Sequence, residues 1–300
     1  MYSILLIFIA ALFFPGIITR VKSICSGRKG PSLIQPLHDV ARLLRKGSVI
    51  SDTTGFVFRI APAIYLASII MAIATVPFGD SGALLSFKGD FVFFAYVLAL
   101  GKFFSIVGAL DTGSSFEGMG ASRESLYSML AEPAFFLTIG SLALMTGYSS
   151  FSDIFAALHL SGTMSYSLAV IAAGILLVLA MIESSRLPVD DPKTHLELTM
   201  IHEVMILDNS GFDLGMIFSA GYLKFAMYGA LVADLFLGSL PAGIAIPVFF
   251  GVQILCASII GIVESFMARY RMNHNPQFIF ALSSVAMLLV FGVLMLAGKM

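Results

Sequence analysis

Ser165–Glu183 reads SYSLAVIAAGILLVLAMIE, an apolar run whose one charge stands at its last position. A bilayer core of about 30 Å needs roughly 20 such residues at about 1.5 Å of rise each. Backbone groups in hydrocarbon must be satisfied within their own segment, and a barrel strand would be about 10 residues of alternating character. The stretch therefore predicts a transmembrane helix. Working outward, Tyr2–Thr19, Phe56–Phe78, Asp90–Leu110, Ala131–Tyr148, Gly215–Leu237, Gly243–Val263 and Gln277–Ala297 have the same character. The chain thus reads as an all-α integral membrane protein, a bundle of eight spans forming one membrane domain over residues 1–300. Charged residues make up 12%, about half the ~25% usual in soluble domains. With 17 Lys and Arg against 18 Asp and Glu, the chain has no basic surplus for nucleic acid.

Basic residues in short loops resist translocation, so their distribution sets orientation. Arg20, Lys22, Arg28, Lys29, Arg42, Arg45 and Lys46 follow the first span; Arg123, then Arg186 and Lys193, then Arg269 and Arg271 follow the third, fifth and seventh. The intervening loops hold Lys88 alone. Odd-numbered loops are expected in the cytoplasm, with both termini outside and the first span retained rather than cleaved. Cys25 and Cys256 are too far apart in character and place to suggest a disulfide or a metal motif, so no metal is expected on this chain.

In the first loop Leu33, Leu37, Val40, Ala41 and Leu44 make a helical stripe opposite His38, Asp39, Arg42, Arg45 and Lys46. This predicts an amphipathic interfacial helix, serving as a lipid anchor, as a cavity wall, or as both. Arg28, Gly30, Pro31, Gln35 and Asp39 sit where Pro and Gly shape the loop, which suits docking. In the third loop, Gly113, Gly118 and Gly120 predict a turn rather than an ordinary helix.

The fifth loop reverses the usual basic excess. It carries Asp190, Asp191, Glu197, Glu203, Asp208 and Asp213 against Arg186 and Lys193, with His195 and His202 between. Glu183 closes the preceding span, Glu132 opens the fourth, Asp111 ends the third and Glu264 ends the seventh. Ionisable groups at membrane depth are expensive, so they gather in wet interior cavities and mark proton relays. Lys102 and Lys224, inside spans, need an acid or a polar cavity nearby. Burial raises a carboxyl pKa, whereas Arg123, Arg186 or Lys102 beside it lowers it. Asp234 reads either as an exit-side acid or as an interfacial cap. His195, His202 and Glu203 lack the spacing of a metal site.

Three stretches jointly carry a family resemblance: Arg28-Lys29-Gly30-Pro31 with Gln35-Pro36 and Asp39; Gly120-Ala121-Ser122-Arg123 through Glu132; and Glu183-Ser184-Ser185-Arg186-Leu187-Pro188-Val189-Asp190 leading to Glu197. The chain resembles the membrane subunit 1 family of respiratory complex I over its whole length. Leu110–Phe116 and Glu264–Arg269 bring it nearer to the formate hydrogenlyase subunit 4 group of energy-converting NiFe hydrogenases. It departs from that group at Asp208-Asn209-Ser210-Gly211.

The resemblance implies a membrane anchor in the prokaryotic cytoplasmic membrane. It implies a peripheral iron–sulfur small subunit, a NiFe large subunit and an antiporter-like membrane subunit as partners, and ion coupling without catalysis on this chain. It also implies that Glu132, Glu183, Arg186, Asp190 and Glu197 belong to a polar funnel, which Arg123, Asp111 and Lys102 would complete. The redox cofactors, iron–sulfur clusters and a NiFe centre, would belong to partners, because side chains alone do not transfer electrons. The alternative is the quinone-site subunit of an NADH:quinone oxidoreductase. A stand-alone secondary transporter would show an inverted repeat, and an intramembrane hydrolase a nucleophile with its base; neither pattern stands out.

Overall fold

The computed structural model describes residues 2–158, 162–190, 200–238 and 240–297. These form α1 (Tyr2–Cys25), α2 (Gln35–Leu43), α3 (Phe56–Ala74), α4 (Asp90–Asp111), α5 (Ser115–Thr146), α6 (Phe151–Ala157), α7 (Thr163–Glu183), α8 (His202–Met205), α9 (Gly211–Leu237), α10 (Ala242–Phe266) and α11 (Asn275–Ala297). Eight of them, all except α2, α6 and α8, are long and apolar enough to cross a bilayer, and they match the eight predicted spans. Successive spans alternate in direction. The face carrying α2, α8 and the basic loops is called the basic face, and the one carrying α6 the far face.

The centre of the bundle is α9, whose Leu223–Leu235 stretch is buried throughout and which packs against α1, α3, α7 and α10. Lipid tails are as apolar as leucine, so close backbone approach rather than exclusion of oil drives such packing. The α3–α4 pair shows it: a Cβ at Gly101 would overlap Ser68, and one at Gly108 would press on Ala61. On the basic face α2 lies against α1 and α9, with Val40 buried and His38, Asp39 and Arg42 exposed. On the far face Asp90 accepts from the Phe151 N–H at 2.7 Å and so caps the start of α6.

One expectation is overturned. The glycine-rich third loop is not an extended turn: α5 begins at Ser115 and runs as one helix through Gly118 and Gly120. Only Gly113, in the left-handed region at φ 71°, marks the turn. Helix propensity disfavours each glycine by about 1 kcal/mol relative to alanine. At Gly120 close packing offsets this, because any side chain there would overlap Val204 and the Ile201 carbonyl beneath α8.

Candidate functional site: a buried ion cluster between two cavities

Four helices each send one charge to a common point. Lys102 of α4, 7% exposed, lies 3.0 Å from Glu124 of α5 and 2.9 Å from Glu183 at the end of α7. The same Glu183 oxygen, Oε2, meets Lys224 of α9 at 2.7 Å. Two ammoniums and two carboxylates balance, which is the condition for keeping charge at membrane depth.

A second group ties the basic-face turn after α7 to its neighbours. Glu264 of α10 pairs with Lys22 of α1 at 2.8 Å and with Arg186 at 3.3 Å, and the Arg186 guanidinium stands 5.1 Å over the Phe225 ring. Asp190, 1% exposed, pairs with Arg269 at 3.0 Å while its other oxygen accepts from the Ile201 and His202 N–H groups at 3.1 Å each. Leu187–Pro188, within this turn, is a cis peptide.

Glu183 also joins two cavities. One of about 40 Å³ lies among α4, α5 and α7, with Lys102, Glu132, Glu183 and Tyr228 in its lining. The other, about 380 Å³, opens beneath α2 and is walled by Pro31, Gln35 and Asp39 on one side and by Arg186, His202, Glu203 and Tyr222 on the other. Burial, reinforced by Asp190 and opposed by Arg186, lifts the Glu203 carboxyl from 4.5 to about 7. Burial holds His202 below its ordinary range, favouring the neutral ring.

The profile described as NADH dehydrogenase matches residues 1–296. The chain belongs to the NADH dehydrogenase family. It is 28% identical over 292 residues to formate hydrogenlyase subunit 4 of Escherichia coli (strain K12), covering 92% of each chain. With hydrogenase-4 component C of the same organism it shares 29% identity over 237 residues, 78% of this chain and 73% of that one. The fold is similar to that of a chain in the membrane-bound sulfane sulfur reductase, an archaeal respiratory membrane complex. There the TM-score is 0.82 at 20% identity, covering 97% of this chain and 96% of that one.

Within this NADH dehydrogenase family member the expected site residues divide. Lys102 and Glu183 meet in the ion cluster, and Arg186 and Asp190 fill the adjoining turn. Arg123 donates to the Met200 carbonyl at 2.9 Å, fixing the approach to α8. Glu132 is exposed on α5 at the rim of the smaller cavity rather than within the cluster, and it lies inside the helix rather than at its start. Asp111 stands apart: its Oδ2 accepts from the Gly55 and Phe58 N–H groups at 2.9 and 3.1 Å, capping α3. Of the expected docking residues, Pro31, Gln35 and Asp39 line the larger cavity, Arg28 is exposed, and the Gly30 carbonyl accepts from Arg20 at 3.0 Å. Glu197, His195, Asp191 and Lys193 lie outside the described residues.

The expected funnel omits Glu124, Lys224, Glu264 and Arg269, although the sequence marks Lys224 and Glu264 as charges in or at the end of a span. Reading the third loop as a turn leaves Glu124 outside any helix. Two signals point to it: a lone lysine in each of two apolar spans demands acids, and Glu124 and Glu183 lie near the basic-face ends of the neighbouring helices.

Proposed function

We propose that this chain is the membrane-anchor and ion-coupling subunit of a NiFe hydrogenase complex of the formate hydrogenlyase type. The observation that supports it best is Glu183, which touches both buried lysines and lines both cavities. A charge change under the basic face, where peripheral iron–sulfur and NiFe subunits dock, reaches the cluster through Glu203, Arg186 and Glu183. Exchange of a proton or sodium ion then follows through the bundle and the antiporter-like partner. In this reading the basic face is cytoplasmic, both termini are outside, α2 lies in the interface, and the membrane is the prokaryotic inner membrane.

A second reading, the quinone-site subunit of an NADH:quinone oxidoreductase, is favoured by the larger cavity. Its volume of about 380 Å³ falls in the ~300–1,000 Å³ range of small-molecule sites, and polar side chains line both of its walls. Purification in mild detergent from the native membrane separates the two. Co-purification of a NiFe large subunit supports the hydrogenase reading, and an NADH-oxidising module supports the second. Recovery as an isolated carrier rejects both.

A further inference from the structure

The far face holds two buried aspartates that are served very differently. Asp90 is fully engaged, Oδ2 accepting from Ser150 Oγ and Oδ1 from the Phe151 N–H, both at 2.7 Å. Asp234, in the last turn of α9 and 1% exposed, accepts only from the Gly79 N–H, at 3.1 Å on Oδ1. Its Oδ2 is buried without a hydrogen-bond partner, and no described cation pairs with it. An ionised carboxylate in that position is costly, whereas the neutral acid is tolerated.

A second buried polar group lies between Asp234 and the ion cluster. Gln253 of α10, 3% exposed, donates from Nε2 to the Ala226 carbonyl at 2.9 Å and lies over Gly229, where any Cβ would overlap its amide. Its Oε1, like Asp234 Oδ2, is buried and unpartnered. Along α9 the order is Lys224 in the cluster, the Gln253 amide at Ala226–Gly229, then Asp234, a climb of about 15 Å at 1.5 Å per residue. The end of this line is close to solvent: Gly79, bonded to Asp234, is followed by Asp80 and Ser81, both exposed.

We propose that Asp234 is a proton-binding group at the far-face end of a path that leads from the Lys102–Glu183–Lys224 cluster past Gln253. A proton arriving along that path binds Oδ2 to give the neutral acid and leaves beside Asp80, regenerating the carboxylate. A proton suits the site better than a metal ion. A hard cation collects about six oxygens, and no group of three acids, histidines or cysteines converges among the described residues.

This inference rests on the coupling reading, and its test keeps the two apart. Intact complexes carrying Asp234→Asn or Glu183→Gln are compared with the native complex in sealed vesicles, measuring redox turnover and proton movement. Asparagine retains the oxygen that accepts from Gly79 but binds no proton. Asp234→Asn is expected to assemble, keep redox turnover and lose proton movement by about a hundredfold, with Asp234→Glu restoring part of it. Native proton movement in Asp234→Asn, with loss in Glu183→Gln, overturns this inference and leaves the coupling reading standing. Native movement in both overturns both. If Asp234→Asn does not assemble, infrared spectra of the native complex and Asp234→Glu decide. A protonated-carboxyl band that exchanges with deuterium and moves in Asp234→Glu supports the site, and its absence rejects it.

Discussion

Lys224 is bonded twice to Glu183: its Nζ donates to the carboxylate at 2.7 Å and to the backbone carbonyl of the same residue at 2.9 Å. That carbonyl belongs to the C-terminal end of α7, where the helix dipole favours a cation. Lys224 therefore keeps one partner, the carbonyl, that a substitution of the Glu183 side chain does not remove, although the carboxylate alone balances its charge.

Glu183→Gln removes the carboxylate shared by both lysines while preserving its shape. Breaking one partner from a buried ion pair costs about 3–5 kcal/mol, so the purified complex should melt well below the native one. Adding Lys224→Met should recover most of the loss, because it removes the stranded cation. Melting of the singles and the double measures the coupling. In sealed vesicles the single variant should retain redox turnover and lose ion movement.

Glu132→Gln acts at an exposed position, where a substitution usually changes stability by less than about 0.5 kcal/mol. Assembly and melting should match the native complex, while coupled ion movement falls because Glu132 borders the cavity that reaches Lys102 and Glu183. Native ion flux in this variant would remove Glu132 from the path.

Asp111→Ala should cost about 1 kcal/mol through the lost cap on α3, and Asp111→Asn much less. Ion movement per assembled complex should be unchanged in both. A large loss in Asp111→Asn at native stability would instead place Asp111 in the coupling path.

Glu203 gives a pH signature. Its carboxyl titrates at about 7 in the fold and near 4.5 when free, so the folded state binds the proton more tightly. The fold carries no penalty below about pH 4.5, loses stability as pH rises toward about 7, and loses no more above that. Glu203→Gln should abolish this slope. Melting temperatures from pH 4 to 8 should show the variant gaining on the native complex across that window only.

The eight spans are legible in the sequence because each apolar run reaches the length that hydrocarbon demands, whatever surrounds it. The need for acids near Lys102 and Lys224 is legible for the same reason. Which acids answer it is not, since Glu124 and Glu183 meet Lys102 only through the packing of α4, α5 and α7. Gly120 misleads because its use is closeness to Val204 across the bundle, which no local pattern encodes. Asp111 and Asp190 read as part of one acidic population, yet one caps a helix and the other pins a turn, roles decided by N–H groups far along the chain.

The turn at Arg186–Asp190 is moored on several sides: Glu264 and Arg269 hold its charged ends, the Tyr270 N–H donates to the Pro188 carbonyl at 2.9 Å, and Asn275 donates to the Val189 carbonyl at 3.0 Å. A force applied at this spot cannot shift it alone. The push is shared with α10 and the foot of α11, and through Glu264 with Lys22 on α1, so that mechanical load at one small patch is felt by three rods of the bundle at once.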